Sequence, residues 1–188
     1  MFYHASQTPG ITVLKPRISN HGTALVYLSA KRQNVLVYLS NAVEKHCKQV
    51  GFKHSGSYRK WASYGFTKDG VLHLDEYYPN ATIDTYKGES GYIYSAEVVE
   101  NYREQSDIPD AIITESEVPV TACEYVPDAY EALLKAMENN EIVLRNYSDN
   151  SEAFQEWNIR TIKTEYQNAS QEPEYREFLR AKFGLSDD

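Results

Sequence analysis

The side chains able to do chemistry are few and scattered. The five histidines, His4, His21, His46, His54 and His73, include no pair with another His or Cys at the spacing that sets two ligands on one face of an element. His46 and Cys47 are neighbours, but adjacent residues point in different directions, so no metal site is expected. A nucleophile elbow needs Gly-x-Ser-x-Gly, which His54-Ser55-Gly56-Ser57 does not supply. There is no Walker A loop, no Gly-x-Gly-x-x-Gly and no His-Glu-x-x-His. Nucleotide hydrolysis, Rossmann dinucleotide binding and zincin chemistry therefore lose their usual support. What remains is a set assembled across distance: a histidine on a first strand, a tyrosine on the next, and a carboxylate at a later strand start. These are His4 in Phe2-Tyr3-His4-Ala5-Ser6, Tyr27 in Leu25-Val26-Tyr27-Leu28-Ser29-Ala30, and Glu117 in Glu115-Ser116-Glu117-Val118-Pro119-Val120. Glu117 is the first choice for the acid, Glu115 the second, and Glu124 a shifted-register alternative.

In motif order these segments resemble the ADP-ribosyltransferase fold, in its branch with a His-Tyr-Glu triad. Phe2 to Ser6 is similar to the family's aromatic-His-Gly-Thr/Ser strand. Leu25 to Ala30, followed by a helical stretch, is similar to its Tyr-(Phe/Leu)-(Ala/Ser/Thr) strand. Gly91-Tyr92-Ile93-Tyr94 resembles the strand after the family's insertion, and Glu115 to Val120 the strand start that carries the acid. In size and motif order the nearest comparison is with the small rifampin-modifying ADP-ribosyltransferases of bacteria. The resemblance covers residues 2–126. Ala5 departs from the family's glycine, whose contact to the nicotinamide amide is made through the backbone, which Ala also supplies.

The resemblance implies NAD as substrate and cleavage of its nicotinamide-ribose bond, with no metal. The leaving group departs from an oxocarbenium-like sugar, so the site must hold the ring and stabilise positive charge. On this reading His4 donates to a ribose hydroxyl of the adenosine half, Tyr27 stacks on nicotinamide, and Glu117 accepts from the nicotinamide ribose. Ser29 and Arg17 assist, Arg17 as a bidentate clamp on pyrophosphate, and His4, Ala5, Ser6, Arg17, Tyr27 and Ser29 together make the NAD-binding set. Each residue also has a purely structural reading. His4 can satisfy local polar groups, Tyr27 can pack in a β-rich strand, Glu115 and Glu117 lie in an acidic run, and Arg17 lies in a loop.

The elements that would position these residues follow from local patterns. Phe2 to Ala5, Ile11 to Leu14 and Ala24 to Ser29 read as strands, with an irregular loop over 15–22. From Ser29 or Ala30 a single helix is expected, its face formed by Val35, Leu39, Val43 and Cys47, closed by Gly51 as C-cap. Residues 52–88 form an aromatic insertion with Tyr58, Trp61, Tyr64, Tyr77 and Tyr86, containing a strand near Val71 to Tyr77. Gly91 to Ser95 and Val118 to Val126 are strands, the second starting at an edge because of Pro119. From Pro127 the pattern turns helical: Asp128 caps a helix with Leu133 inward, Glu141 to Leu144 can form a small strand, and helices follow over about 151–169 and from Tyr175 to Phe183, punctuated by Pro173. Short strands, one early helix, more strands and a helical tail make an α+β protein. The expected arrangement is one domain over 1–188: a 2–126 ADP-ribosyltransferase-like core of two small sheets around a cleft, its insertion at about 52–88, and a 127–188 helical extension.

Composition sets the outer bounds. A net charge of −8 disfavours nucleic acid as a partner, because phosphate backbones select clustered Lys and Arg. Lys45, Lys48, Lys53, His54, Arg59 and Lys60 still make a basic stretch suited to a small phosphorylated ligand. Two cysteines, Cys47 and Cys123, exclude a disulfide framework. With no leader pattern and no long apolar run, a cytoplasmic protein that does not enter the membrane is expected. The 16 tyrosines suit sheet faces and stacking sites and leave room for a homodimer. Three functions are consistent with these features: NAD-dependent ADP-ribosyl transfer or NAD cleavage on an unidentified acceptor; a catalytically silent member binding a nucleotide-like small molecule or a protein; and an RNA 2′-phosphotransferase-like activity, which the acidic balance disfavours.

Overall fold

Strand formation follows the runs of β-branched and aromatic residues. In a computed structural model, which describes residues 1–18, 22–59 and 63–186, β1 spans Phe2–Ser6, β4 Ala24–Ser29 and β7 Gly91–Ala96. The short strands β2 (Val13–Leu14) and β3 (Arg17–Ile18) lie between the first two. Ser19, Asn20 and His21 of the expected loop lie outside the described residues. The protein is α+β, and no helix among the described residues is long and apolar enough to cross a membrane. The chain divides into two compact units, one of Met1–Ser40, Phe66–Leu72 and Lys87–Ile142, the other of Asn41–Gly65, His73–Tyr86 and Val143–Asp188.

The first unit is built on one antiparallel sheet. With β8 (Arg103–Glu104), β9 (Ala111–Thr114) and β11 (Ala122–Val126), its order is β11-β7-β1-β4-β9-β8, and β3 pairs with β4. β7 pairs with β1 along its whole length, from Phe2 opposite Ala96 to Ser6 opposite Tyr92. A second, two-stranded sheet joins β2 to β10 (Val118–Pro119). Its Leu14 and Val118 pack on Val26, Leu28, Ala96 and Ile112 of the large sheet, so two sheets share one apolar layer. α3 (Ala129–Glu138) belongs to this unit; the Asp128 carboxylate accepts from the Tyr130 and Glu131 amides and caps it, as expected.

Three expectations of the local pattern differ from the structure. The single helix after Ser29 is instead a 3₁₀ turn over Arg32–Tyr38 and a separate α1 over Ala42–Val50. Asn34 to Val37 are buried one after another, as is Leu39, so this stretch is buried on all sides rather than along one stripe. Asn41 then opens α1 by accepting from the Glu44 amide, and Gly51 closes it at a positive φ of 71°, as expected. The stretch from Val118 to Val126 is two strands in two sheets. The Val120 amide turns to Thr12, and the amide and hydroxyl of Thr121 both reach the Ser95 carbonyl, so the chain changes sheets there. β8 and β9 lie in a stretch to which the local pattern assigns no strand, because their pairing is non-local.

The remaining strands, β5 (Ser63–Phe66), β6 (Leu72–Asp75) and β12 (Ile142–Arg145), form a three-stranded sheet of order β12-β6-β5. The core of the second unit is helical, with α2 (Ala81–Tyr86), α4 (Glu152–Asn168) and α5 (Pro173–Phe183) joining α1. Val43, Cys47, Tyr78, Ile162, Tyr175 and Phe178 are among its buried residues. α2 was not anticipated in the aromatic segment. The buried Glu76 carboxylate orders its start, accepting from the Thr82 amide at 3.0 Å and the Tyr147 amide at 3.3 Å. Trp61 lies outside the described residues.

Candidate functional site

β1 and β4 are neighbours in the middle of the large sheet and pair at Tyr3 opposite Ser29. One residue further along β1, the link between the strands is a side chain: His4 Nδ1 lies 2.8 Å from the Tyr27 carbonyl oxygen. A carbonyl only accepts, so Nδ1 carries the proton and Nε2 is left with its lone pair. Burial is the main force holding the His4 imidazole below its ordinary range; the Tyr27 carbonyl opposes that shift and the positive charge of Arg17 adds to it. The ring is thus a neutral imidazole of fixed tautomer and orientation.

Behind His4, across the ladder, stands Tyr94 of β7, fully buried. Its hydroxyl donates to the Thr8 carbonyl at 2.6 Å and accepts from the Ile11 amide at 3.3 Å. The turn after β1 is fastened down by these bonds, and Ser6 Oγ accepts from the Thr8 amide at 3.1 Å within it.

The other expected residues fall on two faces and two sheets. Val26 and Leu28 pack into the layer between the sheets, as does Phe2. By strand alternation His4, two residues from Phe2, shares that face, whereas the Tyr27 ring projects to the opposite one. Arg17, exposed on β3 opposite Leu25, is on the Tyr27 face. Ala5 is buried opposite Ile93. Ser29 is buried, and its hydroxyl accepts from the Lys31 amide at 3.1 Å, which shapes the turn after β4.

The three carboxylates are placed differently. Glu117 precedes β10 in the two-stranded sheet and is exposed, 3.6 Å from Lys15 Nζ. Glu124, on β11, meets the Arg32 guanidinium through two bonds of 2.8 and 2.5 Å; these hold its carboxyl below the usual range. Glu115 is exposed and follows Thr114, the last residue of β9, which pairs with Val26 of β4. Arg32 and Tyr94 were not singled out from sequence, because their partners lie far along the chain. Elsewhere in this unit an open cavity of about 440 Å³ is lined by Phe2, Tyr102, Glu104 and Asp110 among others. Among the described residues no group of three or more His, Cys, Asp and Glu gathers as metal ligands would. No known protein family, curated protein or solved structure matches the chain.

Proposed function

We propose that the first unit binds NAD in the manner of an ADP-ribosyltransferase-like fold and cleaves its nicotinamide-ribose bond, passing the ADP-ribosyl group to water or to an acceptor. The observation that carries this reading is the neutral His4 ring, locked by the Tyr27 carbonyl where the two motif-bearing strands meet. Two sheets sharing one layer, with those strands central in the larger, support the fold assignment.

The tautomer refines the role of His4. With Nδ1 committed to Tyr27, Nε2 accepts from a ribose hydroxyl rather than donating to it. Arg17 and the Tyr27 ring lie on the other face of the sheet from His4, so a dinucleotide held at Nε2 takes neither its pyrophosphate cation nor its nicotinamide surface from them. When the glycosidic bond breaks, its electron pair leaves with nicotinamide and the ribose becomes cationic at C1′. A carboxylate beside that carbon stabilises it until water or the acceptor attacks. Glu115, just past the end of β9, is preferred to Glu117 for this role, since Glu117 is paired with Lys15 beside the other sheet.

A second reading is favoured by the pairing of both other carboxylates: Glu117 with Lys15 and Glu124 with Arg32. It is a silent nucleotide binder on the same strands. Nicotinamide release from NAD separates the two. Turnover that falls in His4→Ala and Glu115→Gln supports catalysis. No turnover, with NAD raising the melting temperature, supports the silent binder, because a ligand of the native state alone stabilises it. Neither turnover nor stabilisation removes both.

A further inference from the structure

The row of the sheet next to His4 is tyrosine. His4 is opposite Tyr94, which is opposite Cys123; two residues along β1, Ser6 is opposite Tyr92, which is opposite Tyr125. Directly opposed residues in an antiparallel ladder share a face, as do residues two apart on one strand. His4, Ser6, Tyr92 and Tyr125 therefore lie on one side of the sheet. The Tyr92 and Tyr125 rings contact each other at 5.2 Å between centroids, tilted by 48°, and Tyr92 stacks back on Tyr94 at 6.2 Å and 28°. Tyr94 is sealed, but Tyr125 is 56% exposed on β11, the last strand of its sheet.

We infer that Tyr92 and Tyr125 form a stacking ledge for the adenine of an adenine dinucleotide whose ribose His4 holds; this rests on the NAD reading above. Strand spacing of about 4.8 Å and a rise of about 3.3 Å per residue put Tyr92 roughly 8 Å from His4, backbone to backbone. That is the scale of a nucleoside, so a ribose at His4 Nε2 projects its base over these rings. Burial of an exposed tyrosine face by an aromatic base is the main gain, and it needs no base-specific hydrogen bond. The ledge is also pre-formed. Tyr94 is anchored by its two hydroxyl bonds, Tyr92 rests on Tyr94, and Tyr125 rests on Tyr92, so little rotamer freedom is left to lose on binding.

The two halves of the ligand test this separately. Dissociation constants for ADP-ribose, which carries adenine, and nicotinamide mononucleotide, which does not, are measured by calorimetry on the full chain. Tyr125→Ala is expected to weaken ADP-ribose about tenfold or more and to leave nicotinamide mononucleotide unchanged, whereas Tyr125→Phe, which keeps the ring, retains ADP-ribose affinity. Tyr92→Leu should behave like Tyr125→Ala, and melting temperatures check that each variant is folded. Unchanged ADP-ribose binding in both variants overturns the ledge while leaving the NAD reading intact. An equal loss of both ligands also overturns it, because that marks a general disturbance of the sheet. A wild-type chain that binds neither ligand removes the NAD reading and the ledge together.

Discussion

His4 in the first unit and His46 in the second are both held below the ordinary imidazole range, in each case chiefly by burial. Their surroundings differ. His4 has one ring nitrogen bound to a main-chain carbonyl 23 residues away in sequence. His46 sits in α1 with its ring edge against Phe178 at 5.7 Å, and among the described residues its Nε2 has no hydrogen-bond partner. A depressed histidine is therefore not by itself a sign of function. What distinguishes His4 is a ring fixed by the Tyr27 carbonyl on a central strand of the large sheet. The largest effect expected is on nicotinamide release: His4→Ala should lower it about a hundredfold, the scale of losing one polar contact that positions the dinucleotide for reaction. His46→Ala should leave the rate per folded molecule unchanged. Equal losses in the two would erase the distinction.

The frames differ as their histidines do. In the first unit a Cβ on Gly91 would lie 2.6 Å from Leu39 Cδ2 and 3.1 Å from the Ser6 carbonyl oxygen, which the β1–β7 ladder holds in place. In the second, the nearest atoms to a Cβ on Gly65, among the described residues, belong to the His73 ring, at 2.9 Å. A side chain can turn aside where a paired backbone cannot. Gly91→Ala is expected to cost about 3 kcal/mol, the upper end for overpacking, and Gly65→Ala about 1 kcal/mol. Urea unfolding followed by circular dichroism measures both, and a reversed order would show that the sheet yields more readily than the ring.

Acid separates the regions more gently. Because the native-state pKa of His46 is lowered, protons bind the unfolded chain first as the pH drops below about 6.5. The stability it contributes is present above that value and is lost as the pH falls through the native-state pKa. Lys182 and Arg180 facing the ring deepen the effect, and Glu177 and Asp84 moderate it. His46→Leu cannot take up a proton, so its stability should fall less between pH 7.5 and 5.5 than that of the wild type, in urea titrations at each pH. His4 has the same sign and remains in both proteins. Parallel pH profiles would show that His46 is not the acid-sensitive group.

How much of this was legible follows from how local each signal is. β1, β4 and β7 are continuous β-forming runs, and Asp128, Gly51 and Pro173 mark helix ends through neighbours a few residues away, so all were readable. The break at Leu39 to Asn41 was not, because residues buried on every side mimic the stripe of a continuous helix. β8, β9 and the sheet change at Val120 and Thr121 depend on partners far along the chain. The same holds at the site. His4 and Tyr27 stood out by motif, but their link is a ring to a main-chain oxygen, which no residue type announces. Tyr92 and Tyr125 were two among 16 tyrosines until pairing through β7 and β11 put them in one row with Ser6.

Arg32 and Glu124 are the smallest test. Their bonds are short and bidentate, yet the two side chains are 37% and 52% exposed. Water and salt screen such a pair, so a double-mutant cycle should return a coupling of about 0.5 kcal/mol, shrinking in 0.5 M salt. The pair also bears on the acid of the proposed site. Across the sheet Ala5, Ile93 and Glu124 form one row, on the face opposite His4. If Glu124 only steadies the turn that begins at Arg32, Glu124→Gln should leave nicotinamide release nearly intact while Glu115→Gln suppresses it. Suppression by Glu124→Gln alone, with the same small stability change, would move the reacting sugar to the Tyr27 face of the sheet. The tyrosine ledge would then lie on the wrong side to hold the base.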